Sequence, residues 1–262
     1  MGQAKIFGVI ALKGGVGKTT VVSNLGTSLA RDYGKRVLMV DANFSTPHLG
    51  LHLGLLTPKY TLHHVLNDNH SVFEAIYQHE LGFHIIPGKL APFQTTPSSL
   101  KDKLEELRDI YDVILIDSSP SLNEEMYATM AASDELLVVS SPDYPTLSST
   151  IHAISVADTR DAKIRGIVIN KAYKKKFELS KKDIEGASGS KVLSVIPENF
   201  KVLSSLSRMV PVVFNFPRQD VSVEYKKLAG NLIGEKLKGW FRKKKSHNKS
   251  SKLQNGYIND IK

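Results

Sequence analysis

The chain of 262 residues has no cysteine. That excludes a disulfide framework, a thiolate zinc site and a cysteine-ligated iron–sulfur cluster, and it fits a reducing compartment. No stretch approaches the run of about 18 apolar residues that a membrane-spanning helix needs. Residues 1–13 lack a charged n-region ahead of a long apolar core, so no secretory signal is expected. Acidic charge is scarce in one place. Residues 226–262 hold 11 of the 35 Lys and Arg but 2 of the 26 Asp and Glu, leaving the rest of the chain neutral. The whole net charge of +9 therefore belongs to the C-terminal tail, which suits an anionic partner, either a membrane or a nucleic acid.

What remains is ordinary globular composition, 41% hydrophobic and 23% charged. A chain of this length buries a core without covalent staples. Strand-length apolar runs occur at Ile6–Ala11, Val37–Asp41, Phe83–Ile86, Val113–Asp117, Glu135–Ser140, Ile164–Asn170 and Val192–Ile196. Several are continuous rather than alternating, as in parallel strands buried on both faces. Helical stretches lie between them: Thr19–Tyr33, Leu62–Asn67, Val72–Gln78, Leu100–Asp109, Asn123–Ala132, Ser148–Asp158, Ser180–Glu185, Asn199–Ser207 and Ser222–Lys245. The alternation predicts an α/β fold, a doubly wound, mostly parallel sheet flanked by helices. The expected division is a catalytic domain over 1–227, a basic amphipathic helix over 228–245 and a disordered polar tail over 246–262.

The first strand runs into Lys13-Gly14-Gly15-Val16-Gly17-Lys18-Thr19-Thr20 and then a helix. Glycines let backbone N–H groups turn inward around phosphates, and the helix N-terminus adds its positive dipole end. Lys18 would neutralise β- and γ-phosphates and the Thr19 hydroxyl would ligate Mg²⁺. Leu12 stands where the strict phosphate-loop pattern has its first glycine. The second and fourth strands end in Asp41 and Asp117, placed to hold Mg²⁺ through water or, alternatively, to cap a turn.

The Lys13–Thr20 stretch resembles the deviant Walker A motif of the MinD/ParA family of P-loop ATPases, on its MinD side, and the resemblance covers about residues 4–240. It implies binding of ATP and Mg²⁺, ATP hydrolysis and an ATP-sandwiched homodimer in which Lys13 reaches the partner's phosphates, as an arginine finger does. It also implies Mg²⁺ roles for Thr19, Asp41 and Asp117, and adenine-side roles for Asn170, Pro197 and Glu198. Ser141-Pro142-Asp143 resembles the family's dimer-face loop. Two residues depart from the pattern. Asn43 replaces the aspartate that positions attacking water, and an amide cannot take a proton. Ser121 replaces a glycine. Slow hydrolysis is the expected consequence.

On residues 228–245, Leu228, Leu232, Ile233, Leu237, Trp240 and Phe241 make one helical stripe beside Lys227, Lys238, Arg242 and Lys243–Lys245. The pattern resembles the membrane-targeting helix of MinD proteins, with Ile233, Leu237, Trp240, Phe241 and Lys243–Lys245 meeting an anionic membrane. Packing on the domain and DNA binding are the alternatives. The functional expectation is a cytoplasmic ATPase, peripheral on the inner face of the cell membrane, that positions cell-division or other machinery through an unidentified adaptor. A ParA-type partition ATPase on DNA and a nucleotide-gated scaffold with little turnover are the other readings. The nine histidines show no metal-ligand spacing. His48, His52, His63 and His64 are expected at the surface or in caps, and Leu55, Leu56, Phe73 and Tyr77 in the core.

Overall fold

The computed structural model describes residues 2–67, 70–90 and 96–237. The apolar runs form the strands β1 (Lys5–Ile10), β2 (Val37–Ala42), β3 (Tyr77–Gln78), β4 (His84–Ile86), β5 (Val113–Ser118), β6 (Glu135–Ser140), β7 (Ile164–Ala172) and β8 (Val192–Pro197). The helices are α1 (Lys18–Tyr33), α2 (Leu49–His52), α3 (Leu62–Leu66), α4 (Leu100–Glu105), α5 (Glu124–Ala132), α6 (Tyr144–Asp158), α7 (Lys181–Ser188), α8 (Phe200–Leu206), α9 (Val212–Asn215) and α10 (Asp220–Ile233). One sheet of order β3-β4-β2-β5-β1-β6-β7-β8 results. Every pairing is parallel except that of β3 with β4. β2, β5 and β6 are buried at all positions.

Both faces of the sheet are covered. Phe7, Val9, Met39, Leu115 and Val168 pack with residues of α1, α9 and α10, while their strand neighbours Ile6, Leu38, Val40, Ile114 and Ile116 pack with α3, α4 and α5. Ile10, Val138 and Ile169 meet α5, α6 and α7. The chain moves outward from β1 to β2 and β4, returns through β5, then crosses to β6, β7 and β8. The reversal happens beside β1, so a crevice opens there at the carboxyl ends of the strands.

Several expectations need correction. Val72–Gln78 is not a helix: a single 3₁₀ turn, Val72–Ala75, leads into β3, which pairs with β4. Leu56 and Phe73 are exposed rather than core, whereas His63 is fully buried, with ring nitrogens at Phe44 O (3.2 Å) and Lys89 N (3.0 Å). His64 does serve as a cap, on Thr61.

The helix expected over Ser222–Lys245 ends early. Gly234 has φ 70, a left-handed conformation that costs glycine little, and its N–H closes on Gly230 and Asn231 carbonyls. The proposed boundary at 227/228 falls inside α10. Tyr225, Leu228, Ala229 and Leu232 share one core with α1, and Ile233 packs against it partly buried. Burial stabilises by about 1.5–3 kcal/mol for each large apolar side chain, so this half of the stripe serves packing. Trp240, Phe241, Lys243–Lys245 and the tail 246–262 lie outside the described residues. No helix among the described residues is long and apolar enough to cross a membrane.

Candidate functional site

β1 delivers the glycine loop to the crevice and α1 carries it away. Gly15 and Gly17 have φ of 78 and 93, values that L side chains rarely adopt. Between them Val16 turns inward and is buried, which holds the loop down on the core. Asn170, at the end of β7, donates from its side-chain amide to Val16 O at 2.8 Å. A Cβ on Gly17 would collide with that amide, while one on Gly14 or Gly15 would meet nothing within 4 Å. The loop thus opens toward the cleft and is closed behind. Gly17→Ala is expected to weaken nucleotide affinity at least tenfold and to lower the melting temperature, since a strained backbone costs about 1–3 kcal/mol before the clash is counted. Fluorescent-nucleotide titration and a melting curve test this; wild-type affinity in the variant would contradict the geometry.

β2 and β5 pair in register with Asp41 opposite Asp117. Both carboxylates are buried. Asp41 accepts N–H bonds from Leu49 (2.9 Å) and Asn43 (3.3 Å). Burial, then the nearby Asp117, pushes its pKa well above the usual carboxylate range. No hydrogen bond of full geometry reaches either oxygen of Asp117 among the described residues, although the Thr19 side chain lies near enough to act on it. Burial raises its pKa to about 6, against the opposing pull of Thr19 and Lys18. Lys18 is buried too, and desolvation lowers its pKa while Asp117 supports its charge. Two stacked buried carboxylates beside a threonine hydroxyl are a hard-oxygen donor set, and the oxygens of Asp117, short of full hydrogen bonds, suit a divalent cation such as Mg²⁺.

Lys13 does not point into the cleft. Its Nζ donates to Thr146 Oγ1 (2.7 Å) and lies 3.3 Å from Asp143 Oδ1 at the start of α6. Asp143 also caps α6 by accepting Thr146 N–H at 2.9 Å. Partial burial raises the Asp143 pKa, but hydrogen bonds from Ser141, Thr146 and Lys13 outweigh it and hold the value at about 2. The Asn43 amide is likewise engaged. It donates to Thr46 O (2.7 Å) and accepts from Thr46 N (3.3 Å) and Oγ1 (3.2 Å), closing a turn at the wall of the nucleotide-sized cleft.

The glycine loop and Asn43 border a cleft of about 390 Å³, while Lys13, Asp41 and Asp117 are not among the residues that line it. Gly14, Gly15, Gly17, Lys18, Thr19 and Thr20 form one wall. Asn170, Pro197 and Glu198 stand at the β7–β8 end, where Glu198 N donates to Ala172 O at 2.9 Å. The cleft also has walls that sequence reasoning missed. Lys171 lines it with φ 58, and Leu203 and Tyr225 add apolar surface. His48 and His52 face it from the other side; burial and then His48 lower the His52 pKa to about 4, so that ring is neutral at pH 7. Glu125 on α5 is a further omission. Its carboxylate accepts from Phe44 N (3.1 Å) and from the Ser45 hydroxyl, tying the segment after Asp41 to the helix after Asp117. Its one sequence signal is an acid in the first turn of a helix, which reads as dipole complementarity.

A family model described as an AAA domain matches residues 4–163. A chromosome partitioning protein ParA from Caulobacter vibrioides is 33% identical over 255 residues, covering 87% of this chain and 94% of the relative. An uncharacterised ATP-binding protein of Methanocaldococcus jannaschii is 32% identical over 235 residues, covering 87% and 89%. Among solved structures, the cell division ATPase MinD of Pyrococcus furiosus superposes with a TM-score of 0.84 at 29% identity, covering 89% of this chain and 99% of that one. The septum site-determining protein MinD of Pyrococcus horikoshii, solved with Mg-ADP, gives 0.83 at 27% identity, covering 87% and 96%.

Proposed function

The chain belongs to the MinD/ParA family of P-loop ATPases, and from that premise we propose that it binds Mg-ATP, dimerises on it, hydrolyses it slowly and meets the inner face of the cell membrane through its C-terminal tail. The observation that carries the nucleotide reading is the buried carboxylate of Asp117, short of full hydrogen bonds and facing the Lys18–Thr19 end of the glycine loop. The Gly14–Thr20 backbone N–H groups would hold the phosphates, with Lys18 neutralising them. Thr19, Asp117 and Asp41 would hold Mg²⁺, which when bound spreads the charge that develops on the phosphoryl oxygens. Asn170, Pro197 and Glu198 border the cleft where the base would lie. The Asn170 amide would steady the loop from behind, having one hydrogen committed to Val16.

Lys13 is the group whose position must change. Held on Asp143 and Thr146 it neutralises nothing in its own cleft. In a dimer it would leave them for the partner's phosphates. Asn43 supports slow turnover, because its amide is spent on Thr46 and carries no basic oxygen. The membrane reading draws on the charge of residues 226–262 and on the Trp240–Phe241 pair within it. Dimerisation would pair two weak anchors, so that avidity makes attachment follow the nucleotide.

Size-exclusion chromatography and sedimentation with anionic vesicles, each with Mg-ATP and Mg-ADP, test the proposal. A dimer and vesicle pelleting are expected with ATP alone. Truncation after residue 237 should abolish pelleting and leave the dimer intact. Equal dimer content with both nucleotides would overturn the sandwich. Pelleting with duplex DNA but not vesicles would favour the partition reading, which the basic tail and the ParA relative support.

A further inference from the structure

Residues 171–182 contain six lysines and a single acid, Glu178. That acid is turned into the loop. Its carboxylate accepts the backbone N–H groups of Tyr173 (2.8 Å) and Lys175 (3.2 Å), and its own N–H donates to Lys175 O (3.1 Å). Leu179 N donates to Pro142 O at 3.0 Å and pins the far end. Lys171 and Lys174 both have φ 58, so the backbone holds two left-handed lysines to make the bend. The result is a built loop with its charge outside. Lys174, Lys175 and Lys176 make no ion pair among the described residues. The flanking rings of Tyr173 and Phe177 are 61% and 80% exposed.

Tyr-Lys-Lys-Lys-Phe has the same chemistry as Trp-Phe-Arg-Lys-Lys-Lys at 240–245, outside the described residues. The loop leaves the carboxyl end of β7. α10 reaches the other end of that strand, where Arg165 Nη2 donates to Asn231 O (3.4 Å). α10 packs along β8, the edge strand. The loop and the root of the tail thus share one lateral edge of the sheet, about 30 Å apart by the rise of β7's nine residues.

We propose that Tyr173–Phe177 is a second contact for an anionic lipid surface, acting with the tail; it rests on the membrane reading above. Lysines are drawn to anionic headgroups and exposed aromatic rings settle at headgroup depth. Duplex DNA would satisfy the lysines but leave the Phe177 ring in water.

The test uses the full chain with Mg-ATP and vesicles of equal parts phosphatidylcholine and phosphatidylglycerol. Substituting Lys174→Gln, Lys175→Gln and Lys176→Gln together should weaken binding about a hundredfold, at roughly fivefold for each lysine. Melting temperature and ADP affinity should stay at wild-type values. The chain has one tryptophan, Trp240. Phe177→Trp in a Trp240→Phe background therefore reports on the loop alone, and its emission should shift to the blue on vesicles. Unshifted emission while the protein pellets would overturn the loop contact and leave the tail reading standing. So would wild-type pelleting of the triple variant, or its loss of duplex DNA binding without loss of vesicle binding. Pelleting that survives truncation after residue 237 but fails in the triple variant would uphold the loop and overturn the tail.

Discussion

Asp117→Asn is expected to make the nucleotide-free protein more heat-resistant and catalytically dead in one step. Raising a carboxyl pKa from 3.8 to about 6 on folding costs about 2–3 kcal/mol at pH 7. The sign follows from the direction of the shift. Above pH 6 the group is ionised in both states and the penalty is complete; as pH falls from about 6 toward 3.8 the folded state takes up its proton first and the penalty fades. The amide keeps the shape without the charge, though its buried dipoles return about 1 kcal/mol of that gain. A chain of this size shifts by about 2–4 °C per kcal/mol, so the variant should melt about 2–8 °C higher at pH 7, with the advantage smaller by about 1 kcal/mol at pH 5. Turnover should fall at least about a hundredfold, because a charge aimed at the cation is gone. Differential scanning calorimetry at the two pH values and phosphate release read both effects. A variant that melts lower at pH 7 and still turns over would refute the assignment.

Lys13→Ala should have the opposite profile, with binding kept and assembly lost. Its Nζ rests on Thr146 and Asp143 and not on the cleft, so ADP affinity should stay within about threefold of wild type. Stability should move by less than about 1 kcal/mol, because both partners of the ion pair are roughly two-fifths exposed, at 42% and 43%. Turnover should drop by about 10³-fold or more, the range for removing a cation supplied across an interface to a transferring phosphoryl group. The dimer seen with ATP should disappear. An ATP-dependent dimer of normal stability in the variant would show that another group bridges the protomers.

The sheet was legible because its inner strands announce themselves. Runs such as Val113–Ile116 and Leu136–Val139 are apolar without alternation, and parallel strands covered on both faces are the structure that uses them. The glycine loop was legible for a similar reason, since few backbones need that spacing of glycines ahead of Lys-Thr. Local periodicity failed where tertiary contacts decide. β3 is two residues long and exists through its pairing with β4, so a helical spacing over Val72–Gln78 misled. α2 and α9 have four residues each, too few to show a period. The apolar stripe of α10 runs on in the sequence past residue 233, but one glycine in the left-handed region ends the helix. The side-chain commitments of Lys13 and Asn43 were invisible for another reason. Their partners, Thr146 and Thr46, are ordinary residues whose importance comes only from where the fold puts them.

α1 can also be viewed as a mechanical part. It begins at Lys18 in the phosphate loop and ends at Tyr33, a rod of about 24 Å at 1.5 Å per residue. Its far end is bolted to the root of the tail. Tyr33 Oη donates to Lys226 O (2.7 Å), Lys226 pairs with Asp32 (3.1 Å) and Lys35 pairs with Glu235 (2.7 Å). Tension applied at residue 235 is therefore shared between α1, whose other end is the glycine loop, and the strands β2, β7 and β8 that Lys35, Asn231 and α10 adjoin.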